Sequence, residues 1–255
     1  MILMKAGGSA ITDKSMDFSI KAHNLERLGR ALATATEPVV LCHGGGSFGH
    51  PLARRYDLSG EITTPEQLRG VSHTNIAMRN LSNIVCEALI EGGCTPFALQ
   101  TSAILTADRG RIDVFNTAIV RHVLSTGFIP VVYGDVVYDA TYRYAIVSGD
   151  QIMRRLAEAF PGNRALFLTD VDGLYTADPK RDPGATLIRD IALADLGTVQ
   201  AGEAGDVTGG MKGKVAEIMA LEGVVTEVQV LSLSRDGALE AALRGGVGGT
   251  RVIMK

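Results

Sequence analysis

The glycine-rich stretch HGGGSFGH, residues 43–50, constrains this chain more than any other feature. It follows a short apolar run, Val39–Cys42, which predicts a buried strand, and it leads into a helix-like segment. Three consecutive glycines leave backbone N–H groups uncovered by side chains and allow φ angles that other residues resist. Such a turn can hold phosphate oxygens, although a tight strand-to-helix turn without a ligand has the same pattern.

The segment before this stretch predicts a β-α-β unit. Met1–Met4 is a short apolar run that stops at Lys5, as expected of a buried strand. Residues 20–35 place leucine and alanine on one helical face, and Pro38 ends that region before strand 39–42. A β-α-β order predicts an α/β fold with a mostly parallel sheet covered by helices.

Capping signals predict the later helices. Thr64 and Gln67 form a capping-box pattern around Pro65, and the helix that they start runs to about Ile90. This helix either lines a binding pocket or simply packs against the sheet. Ser148 to Gln151 repeats the capping-box pattern and starts a helix that runs to about residue 160. Between these helices we expect strands at 96–99 and 128–133, hairpins at 104–114 and 136–147, and a helix at 116–125.

Pro161-Gly162-Asn163 is the best candidate for a boundary between two lobes. We expect an N-terminal lobe over residues 1–160 and a C-terminal lobe over residues 161–255. In the second lobe, the pattern predicts strands at 165–168, 225–231 and 250–253, and helices after Thr208-Gly209-Gly210 and at 237–243.

Composition excludes several classes of function. Hydrophobic residues make up 46% and charged residues 21% of the 255 residues, which is typical of a globular protein. The net charge of −3 provides no nucleic-acid footprint, so an anion must be held by local charge. No apolar run is long enough to cross a membrane, and the run before Lys5 is too short for a signal peptide. Three cysteines without metal-binding spacing indicate free thiols in a reducing compartment, so we expect a cytoplasmic protein.

Four polar clusters lie where a strand ends or a helix begins, which is where an open α/β sheet binds ligands. They are residues 5–9, 43–50, 148–150 and 208–214. Two of them combine a glycine loop with lysine, and phosphoryl transfer needs this combination of N–H donors and cations. The Walker A pattern GxxxxGK[ST] does not occur, so a different loop would have to hold the phosphates.

Two other motifs suggest different functions, but each matches its pattern only in part. Gly44, Gly46 and Gly49 match the GxGxxG fingerprint of dinucleotide-binding oxidoreductases. The acidic residue expected about 20 positions later does not end a second strand, and the fingerprint usually follows the first strand. Asp170-Val171-Asp172-Gly173 resembles the start of a calcium loop, but Leu174 breaks the EF-hand pattern.

Taken together, the motifs resemble the amino acid kinase superfamily, which includes acetylglutamate, aspartate, carbamate and bacterial uridylate kinases. Within it, they look like the isopentenyl phosphate kinase family, in the same order and over the whole chain. The matching segments are ITDK (11–14), HGGGSFGH (43–50), YGDVV (133–137), SGDQ (148–151), TDVDGLYTADPK (169–180) and DVTGGMKGK (206–214). The resemblance implies a three-layer αβα sandwich with an open, mainly parallel central sheet.

The resemblance also implies roles for individual residues. The residues implied in catalysis are Lys5, Lys14, His50, Asp150 and Lys214. The acceptor phosphate would contact Gly45, His50 and Gly149. ATP would contact Lys5, Gly7, Gly8, Ser9, Gly46, Asp170, Tyr175, Lys180, Gly210 and Lys214. Lys14 would stabilise the transferring phosphoryl group, and Asp150 would orient the lysines. Lys212 competes with Lys214, but the spacing from Gly210 favours Lys214.

Each assignment has a plainer alternative. Lys5 could be a charge that keeps a strand end soluble, and Lys14 could be a surface lysine. His50 could simply start a helix, and Asp150 could be a first-turn acid favoured by the helix dipole. His43, at a strand end, is more typical of a buried structural histidine than of a catalytic one.

The activity implied by the resemblance is ATP-dependent phosphorylation of isopentenyl phosphate to the diphosphate, a step of isoprenoid biosynthesis by an alternative mevalonate route. ATP and Mg²⁺ are the implied cofactors, with Mg²⁺ held by ATP phosphates and no metal ligand assigned to the protein. The partners would be a small phosphomonoester and a second copy in a homodimer, with neither nucleic acid nor membrane. Two alternatives stay open: a kinase for a phosphonate or another phosphomonoester, such as fosfomycin kinase, and a non-catalytic sensing module.

Overall fold

The computed structural model describes residues 1–177, 182–198 and 210–254. The strands are β1 (Ile2–Ala6), β2 (Val39–His43), β3 (Pro96–Ala98), β4 (Leu105–Asp108), β5 (Arg111–Phe115), β6 (Ile129–Tyr133), β7 (Asp135–Asp139), β8 (Arg143–Val147), β9 (Arg164–Thr169), β10 (Asp190–Ala192), β11 (Glu227–Ser232) and β12 (Thr250–Ile253). The helices are α1 (Gly8–Ile11), α2 (Ala22–Leu32), α3 (Gly46–Arg55), α4 (Pro65–Glu91), α5 (Thr101–Ile104), α6 (Thr117–Ser125), α7 (Gly149–Ala159), α8 (Gly210–Met219) and α9 (Ala238–Leu243), with a 3-10 helix at Leu193–Thr198.

Eight of these strands form one sheet in the order β10-β12-β11-β9-β1-β2-β6-β3. All neighbours in it are parallel except β11 and β12. β1 lies between β2 and β9, so strands from both halves of the chain meet at the centre of the sheet. The mainly parallel sheet predicted from the β-α-β pattern is confirmed.

Two hydrophobic cores lie on opposite faces of this sheet, because successive side chains of a strand point to opposite sides. Leu3 belongs to one core, with residues of α6, α7 and α8. Its neighbours Ile2 and Met4 belong to the other core, with residues of α2, α3, α4 and α9. The three-layer αβα sandwich is therefore confirmed. No helix among the described residues is long and apolar enough to cross a membrane.

The two predicted hairpins are confirmed, and they join in a way that the sequence pattern did not predict. They form a second sheet in the order β5-β4-β7-β8. Asp139, at the end of β7, is buried and fastens them together. Its carboxylate accepts hydrogen bonds from the backbone N atoms of Arg109 (3.2 Å), Gly110 (2.8 Å), Thr141 (3.0 Å) and Tyr142 (2.7 Å).

Of the two predicted capping boxes, one is complete and one is half formed. Thr64 accepts from the N–H of Gln67, and the Gln67 side chain returns a bond to the backbone of Thr64, as predicted. Ser148 likewise accepts from the N–H of Gln151 at 3.2 Å. The side chain of Gln151 does not complete the box: its Nε2 donates to the carbonyl of Gly110, and its Oε1, which would accept from the N–H of Ser148, is buried without a partner among the described residues.

The elements missed by sequence analysis are short. α1, α5, β10 and the 3-10 helix each span three to six residues, too few to show a period of hydrophobic residues. Pro51 lies inside α3 and offers no N–H to the carbonyl of Ser47. That carbonyl instead accepts from the N–H of Phe18 at 3.1 Å, which fastens the loop before α2 to α3.

We predict that Asp139→Asn lowers the free energy of unfolding by about 2–3 kcal/mol at neutral pH, because it removes the charge that four N–H groups share. Burial raises the pKa of Asp139, but the four backbone hydrogen bonds outweigh it and hold the pKa below its ordinary value of 3.8. This stabilisation is therefore present above pH 3.8 and is lost as the pH falls through the folded-state pKa.

Urea unfolding of both proteins at several pH values measures this contribution. The difference in the free energy of unfolding between wild type and Asp139→Asn should become smaller as the pH is lowered from about 4 toward about 2. Asp108→Asn is the matched control, because Asp108 is an exposed carboxylate of the same sheet that accepts from the Thr141 hydroxyl at 2.5 Å. A pH-independent difference between wild type and Asp139→Asn would show that the carboxylate charge is not responsible.

Candidate active site

The carboxyl ends of four neighbouring strands hold the loops of the candidate site. Backbone hydrogen bonds connect each loop to the next strand, from the N–H of Gly7 to Leu168, of Gly44 to Ala6 and of Gly134 to His43, each at 2.9 Å. Because the strands β9, β1, β2 and β6 are parallel and adjacent, their following loops lie side by side. This edge is where an open α/β sheet places its ligands.

The two predicted glycine loops are in direct backbone contact. A Cβ added to Gly8 would lie 2.4 Å from the backbone N of Gly46, and one added to Gly44 would lie 2.8 Å from the N of Gly8. Gly46 also adopts a φ of +46°, a left-handed conformation that favours glycine. The loops can approach this closely only without side chains, so the glycines do more than form turns.

Thr12 holds these loops together, and sequence analysis assigned it no role although it lies in the ITDK segment. It is fully buried, and its Oγ1 donates to the carbonyl of Gly8 at 2.7 Å. The same oxygen accepts from the N–H of Ser47 at 3.0 Å. One hydroxyl therefore links the loop after β1 to the first turn of α3.

The described contacts show which loop N–H groups remain for an anion. Gly7 and Ser47 have already donated theirs, to Leu168 and Thr12. Among the described contacts outside helices, no bond is made by the N–H groups of Gly8, Ser9, Gly45 and Gly46. Four of the five residues predicted to line the loops thus keep a backbone donor, and Gly7 does not.

Lys5 and Asp150 form an ion pair at the centre of the site. Lys5 Nζ lies 2.5 Å from Asp150 Oδ2, and the two side chains are only 8% and 16% exposed. The second oxygen of Asp150, Oδ1, is buried without a hydrogen-bond partner among the described residues. Gly149 lies beside this pair, since a Cβ there would be 3.2 Å from Lys5 Cε. The structure therefore brings Lys5, Gly149 and Asp150 together, as the resemblance implied.

Lys14 and His50 lie on the segments that flank the glycine loops. Lys14 is in a turn closed by Asp13, whose Oδ1 accepts from the N–H of Ser15 at 2.9 Å and from its hydroxyl at 2.7 Å. His50 is half-buried in the first part of α3, four residues after Gly46. Both residues make contacts within the protein.

The predicted nucleotide residues are only partly described. Asp170 and Tyr175 lie in the segment that follows β9, where the hydroxyl of Thr169 donates to Asp170 Oδ1 at 3.2 Å and Tyr175 bridges to Leu187. Gly210 and Lys214 lie in α8, but nothing is described of the side chain of Lys214. Lys180, Thr208 and Gly209 lie outside the described residues.

Two buried acid–base groups near the site carry perturbed pKa values. Burial lowers the pKa of His43 to about 4, so its ring is neutral, and it stacks on Tyr133 with ring centroids 5.1 Å apart. This agrees with a structural histidine. Burial raises the pKa of Asp135 to about 7, although hydrogen bonds from Ser102, Val136 and Asn75 oppose that rise. Asp135 was not assigned a role from sequence, and its place in the YGDVV segment was the only signal.

The described residues contain no group of three or more His, Cys, Asp or Glu side chains that could hold a metal ion. The unpartnered Oδ1 of Asp150 is the one orphaned carboxylate oxygen described beside the glycine loops. A single carboxylate oxygen suits a Mg²⁺ ion that keeps several water ligands and takes most of its other ligands from nucleotide phosphates.

Comparisons with known proteins agree with the geometry. The Amino acid kinase family matches residues 1–232. The chain is 38% identical to an isopentenyl phosphate kinase of Methanothermobacter thermautotrophicus over 265 aligned positions, covering 100% of both chains. It is 39% identical to one of Thermoplasma acidophilum, covering 88% of each. A crystal structure described as an isopentenyl phosphate kinase substrate complex superposes with a TM-score of 0.83 at 32% identity, covering 99% of this chain and 100% of that one.

Facing glycine loops beside a buried lysine supply the N–H donors and the cation that phosphoryl transfer needs, and the comparisons assign the chain to a class of small-molecule kinases. The chain belongs to the amino acid kinase family. Within that family, its nearly full-length similarity to several isopentenyl phosphate kinases confirms the resemblance predicted from the motifs.

We predict that Thr12→Val lowers the free energy of unfolding by about 1–3 kcal/mol, because the buried N–H of Ser47 loses its partner and the carbonyl of Gly8 loses one of its two donors. Thr12→Ser keeps the hydroxyl and should cost at most about 1 kcal/mol for the lost methyl group. Urea unfolding of the three proteins measures both effects. Equal stability of the valine and serine variants would mean that the hydroxyl does not hold the loops together.

Proposed function

We propose that this protein transfers the γ-phosphoryl group of ATP to isopentenyl phosphate, forming isopentenyl diphosphate for isoprenoid biosynthesis. The observation that carries the proposal is the buried Lys5–Asp150 pair beside two facing glycine loops. Relatives named isopentenyl phosphate kinase, similar over 82–100% of this chain, support the choice of acceptor.

The chemistry needs positioning more than it needs a base. The attacking oxygen belongs to a phosphate and is anionic at neutral pH, so no side chain has to remove a proton. The difficulty is to bring two anions together and to stabilise the charge on the transferring group. We propose that Lys5, Lys14 and Lys214 do this from three sides. An ammonium group has three N–H donors, and the described contacts of Lys5 use one of them on Asp150.

On the acceptor side, we propose that Gly45, His50 and Gly149 bind the phosphate of the substrate. The N–H of Gly45 makes no bond among the described contacts outside helices, and His50 lies on the helix that starts next to it. The N-terminal end of α3 adds a partial positive charge that favours an anion.

On the nucleotide side, we propose that the N–H groups of Gly8, Ser9 and Gly46 hold ATP phosphates, with Gly7 contributing its lack of a side chain. Gly210 and Lys214 of α8 would meet the β- and γ-phosphates. Asp170, Tyr175 and Lys180 would hold the adenosine part. Mg²⁺ bound to the phosphates would neutralise part of their charge and polarise the transferring group.

The apolar tail of the acceptor would lie against α4. Met78 of α4 lies directly beneath the loop after β2, with its Sδ 3.1 Å from the Cβ position of Gly45. Two turns away in α4, Val71 joins Leu58, Ile62 and Val136 in a separate apolar cluster. These side chains would form the apolar wall that a short hydrocarbon tail requires.

We propose that the two predicted lobes divide the substrates. Residues 1–160 would bind the phosphate acceptor and residues 161–255 would bind ATP.

The three cysteines are free thiols, which supports a reducing, cytoplasmic location.

We also propose a homodimer. The edge strand β3 exposes Phe97, whose ring meets that of Phe128 at 5.8 Å, and both side chains are more than 40% exposed. An exposed apolar edge strand is a favourable surface for a second copy. Light scattering should give about twice the chain mass of 26.9 kDa, and the mass of one chain would contradict the proposal.

A coupled assay of ADP release tests the acceptor. With ATP and Mg²⁺, isopentenyl phosphate should be turned over with a kcat/KM at least about tenfold above that of fosfomycin or other small phosphomonoesters. Preference for a phosphonate would instead identify a related kinase. The absence of turnover with the whole panel, despite ATP binding, would indicate a sensing module.

We predict that His50→Ala raises KM for the acceptor about tenfold or more and changes KM for ATP little, because only the acceptor phosphate loses a hydrogen-bond donor. Steady-state kinetics with each substrate varied in turn measures both constants. His122→Ala, an exposed histidine of α6, is the control and should match wild type. Equal increases in both KM values would place His50 elsewhere in the mechanism.

A further inference from the structure

The turn between β4 and β5 contacts α7, whose first turn holds Asp150, and α8, whose start we propose to bind the nucleotide phosphates. We call this turn, residues 108–111, the hairpin turn. On one side, the Nε2 of Gln151 donates to the carbonyl of Gly110 at 3.3 Å, and Gln151 directly follows Asp150 in α7. On the other side, Arg111 Nη1 lies 3.1 Å from Glu217 Oε1, and Glu217 is one turn beyond Lys214 in α8.

The hairpin turn is a rigid support. Asp139 accepts from the N–H groups of Arg109 and Gly110, and its other two backbone bonds fix the neighbouring turn. These bonds hold the backbone of the turn without involving either helix. Just beyond the turn, Arg155 of α7 donates from Nη1 to the carbonyl of Ile112 at 2.9 Å, which joins β5 to α7.

Polar contacts join the turn itself to α7, while the strands β4 and β5 on either side of it share an apolar core with α7. A cavity of about 200 Å³ lies between the hairpin and α7, and five of its six lining residues are polar: Arg111, Ile112, Gln151, Arg154, Arg155 and Glu158. α8 packs on α7, and its Val215 and Ile218 belong to the apolar core that also contains α7 residues. Apolar contact is non-directional, whereas an ion pair between two particular side chains adds a directional restraint on the rotation and register of α8.

The two partners of this ion pair are unequally exposed. The side chain of Glu217 is 13% exposed and that of Arg111 is 59% exposed. The second oxygen of Glu217 is buried and has no partner among the described residues. Among the described residues, Arg111 is the cation that pairs with the largely buried carboxylate of Glu217. A buried carboxylate that is left unpaired costs free energy.

We propose that Arg111 and Glu217 are positioning residues, which act through the hairpin turn to hold α8 in register with α7 and so place the ATP-binding start of α8 opposite Asp150. The inference rests on the proposed function, because it assumes that Gly210 and Lys214 meet the nucleotide phosphates. Displacements of about 1 Å in such groups are enough to weaken binding and transfer.

Equilibrium binding of ATP with Mg²⁺, measured by titration calorimetry without acceptor, tests the proposal directly. Arg111→Gln and Glu217→Gln should each raise the Kd for ATP about fivefold. The Kd of the double variant should be no higher than that of whichever single variant has the higher Kd. Arg111→Lys should recover part of the affinity. Arg154→Gln is the matched control, since Arg154 lines the same cavity but pairs with Glu158 inside α7, and its Kd should equal that of wild type.

The direction of the Glu217 effect separates positioning from simple charge. Long-range electrostatics predicts opposite results, because removing a positive charge weakens ATP binding and removing a negative charge strengthens it. Positioning predicts weaker binding in both variants. Opposite signs, additive effects or unchanged Kd values would overturn the proposal.

Kinetics completes the test. In both single variants KM for ATP should rise about fivefold while KM for the acceptor stays unchanged, and equal increases would contradict a role specific to α8. The calorimetric result, unlike the kinetic one, does not depend on turnover of the acceptor. If wild type binds ATP but phosphorylates no acceptor, the proposed function fails, and the calorimetric comparison still decides whether Arg111 and Glu217 hold α8.

Discussion

The arrangement of this protein depends on one close backbone contact, between Gly8 after β1 and Gly46 at the start of α3. A side chain at either position would push the two loops apart. The contact is possible because β1 and β2 are adjacent parallel strands that end at the same edge. It places the backbone donors of both loops within one small region, where two phosphates can be held side by side. Thr12 then bonds to both loops with a single hydroxyl.

The second constraint is a buried charge. Lys5 lies at the end of the central strand and is almost inaccessible to water, so its ammonium group needs a partner. Asp150 provides one from the first turn of α7, a helix that arrives from 145 positions later in the chain. The pair therefore forms only in the tertiary structure. Strand order brings Lys5 to the centre of the sheet, and helix packing brings the Asp150 carboxylate to it. The hairpin turn extends the same connection to α8.

Local signals were read correctly where the deciding interactions are local. The capping box at Thr64 needs only neighbours within three residues, and it is formed. The matching pattern at Ser148 is half formed, and the side chain of Gln151 donates to Gly110, which is distant in sequence. The hairpins at 104–114 and 136–147 were both recognised from their turns. Their union into one sheet was not, because it depends on Asp139 reaching across to another hairpin.

The amino-acid sequence is sufficient to predict the mainly parallel sheet, the long helix α4, the glycine loops and the motifs shared with isopentenyl phosphate kinases. These follow from hydrophobic periodicity, turn residues and residue spacing, all of which are encoded locally. Three contacts become visible only in the folded chain: Gly7 uses its N–H within the protein, Thr12 links the two loops, and Arg111 meets Glu217. The physical reason is that these contacts join residues far apart in sequence, so they exist only once the strands are ordered in the sheet.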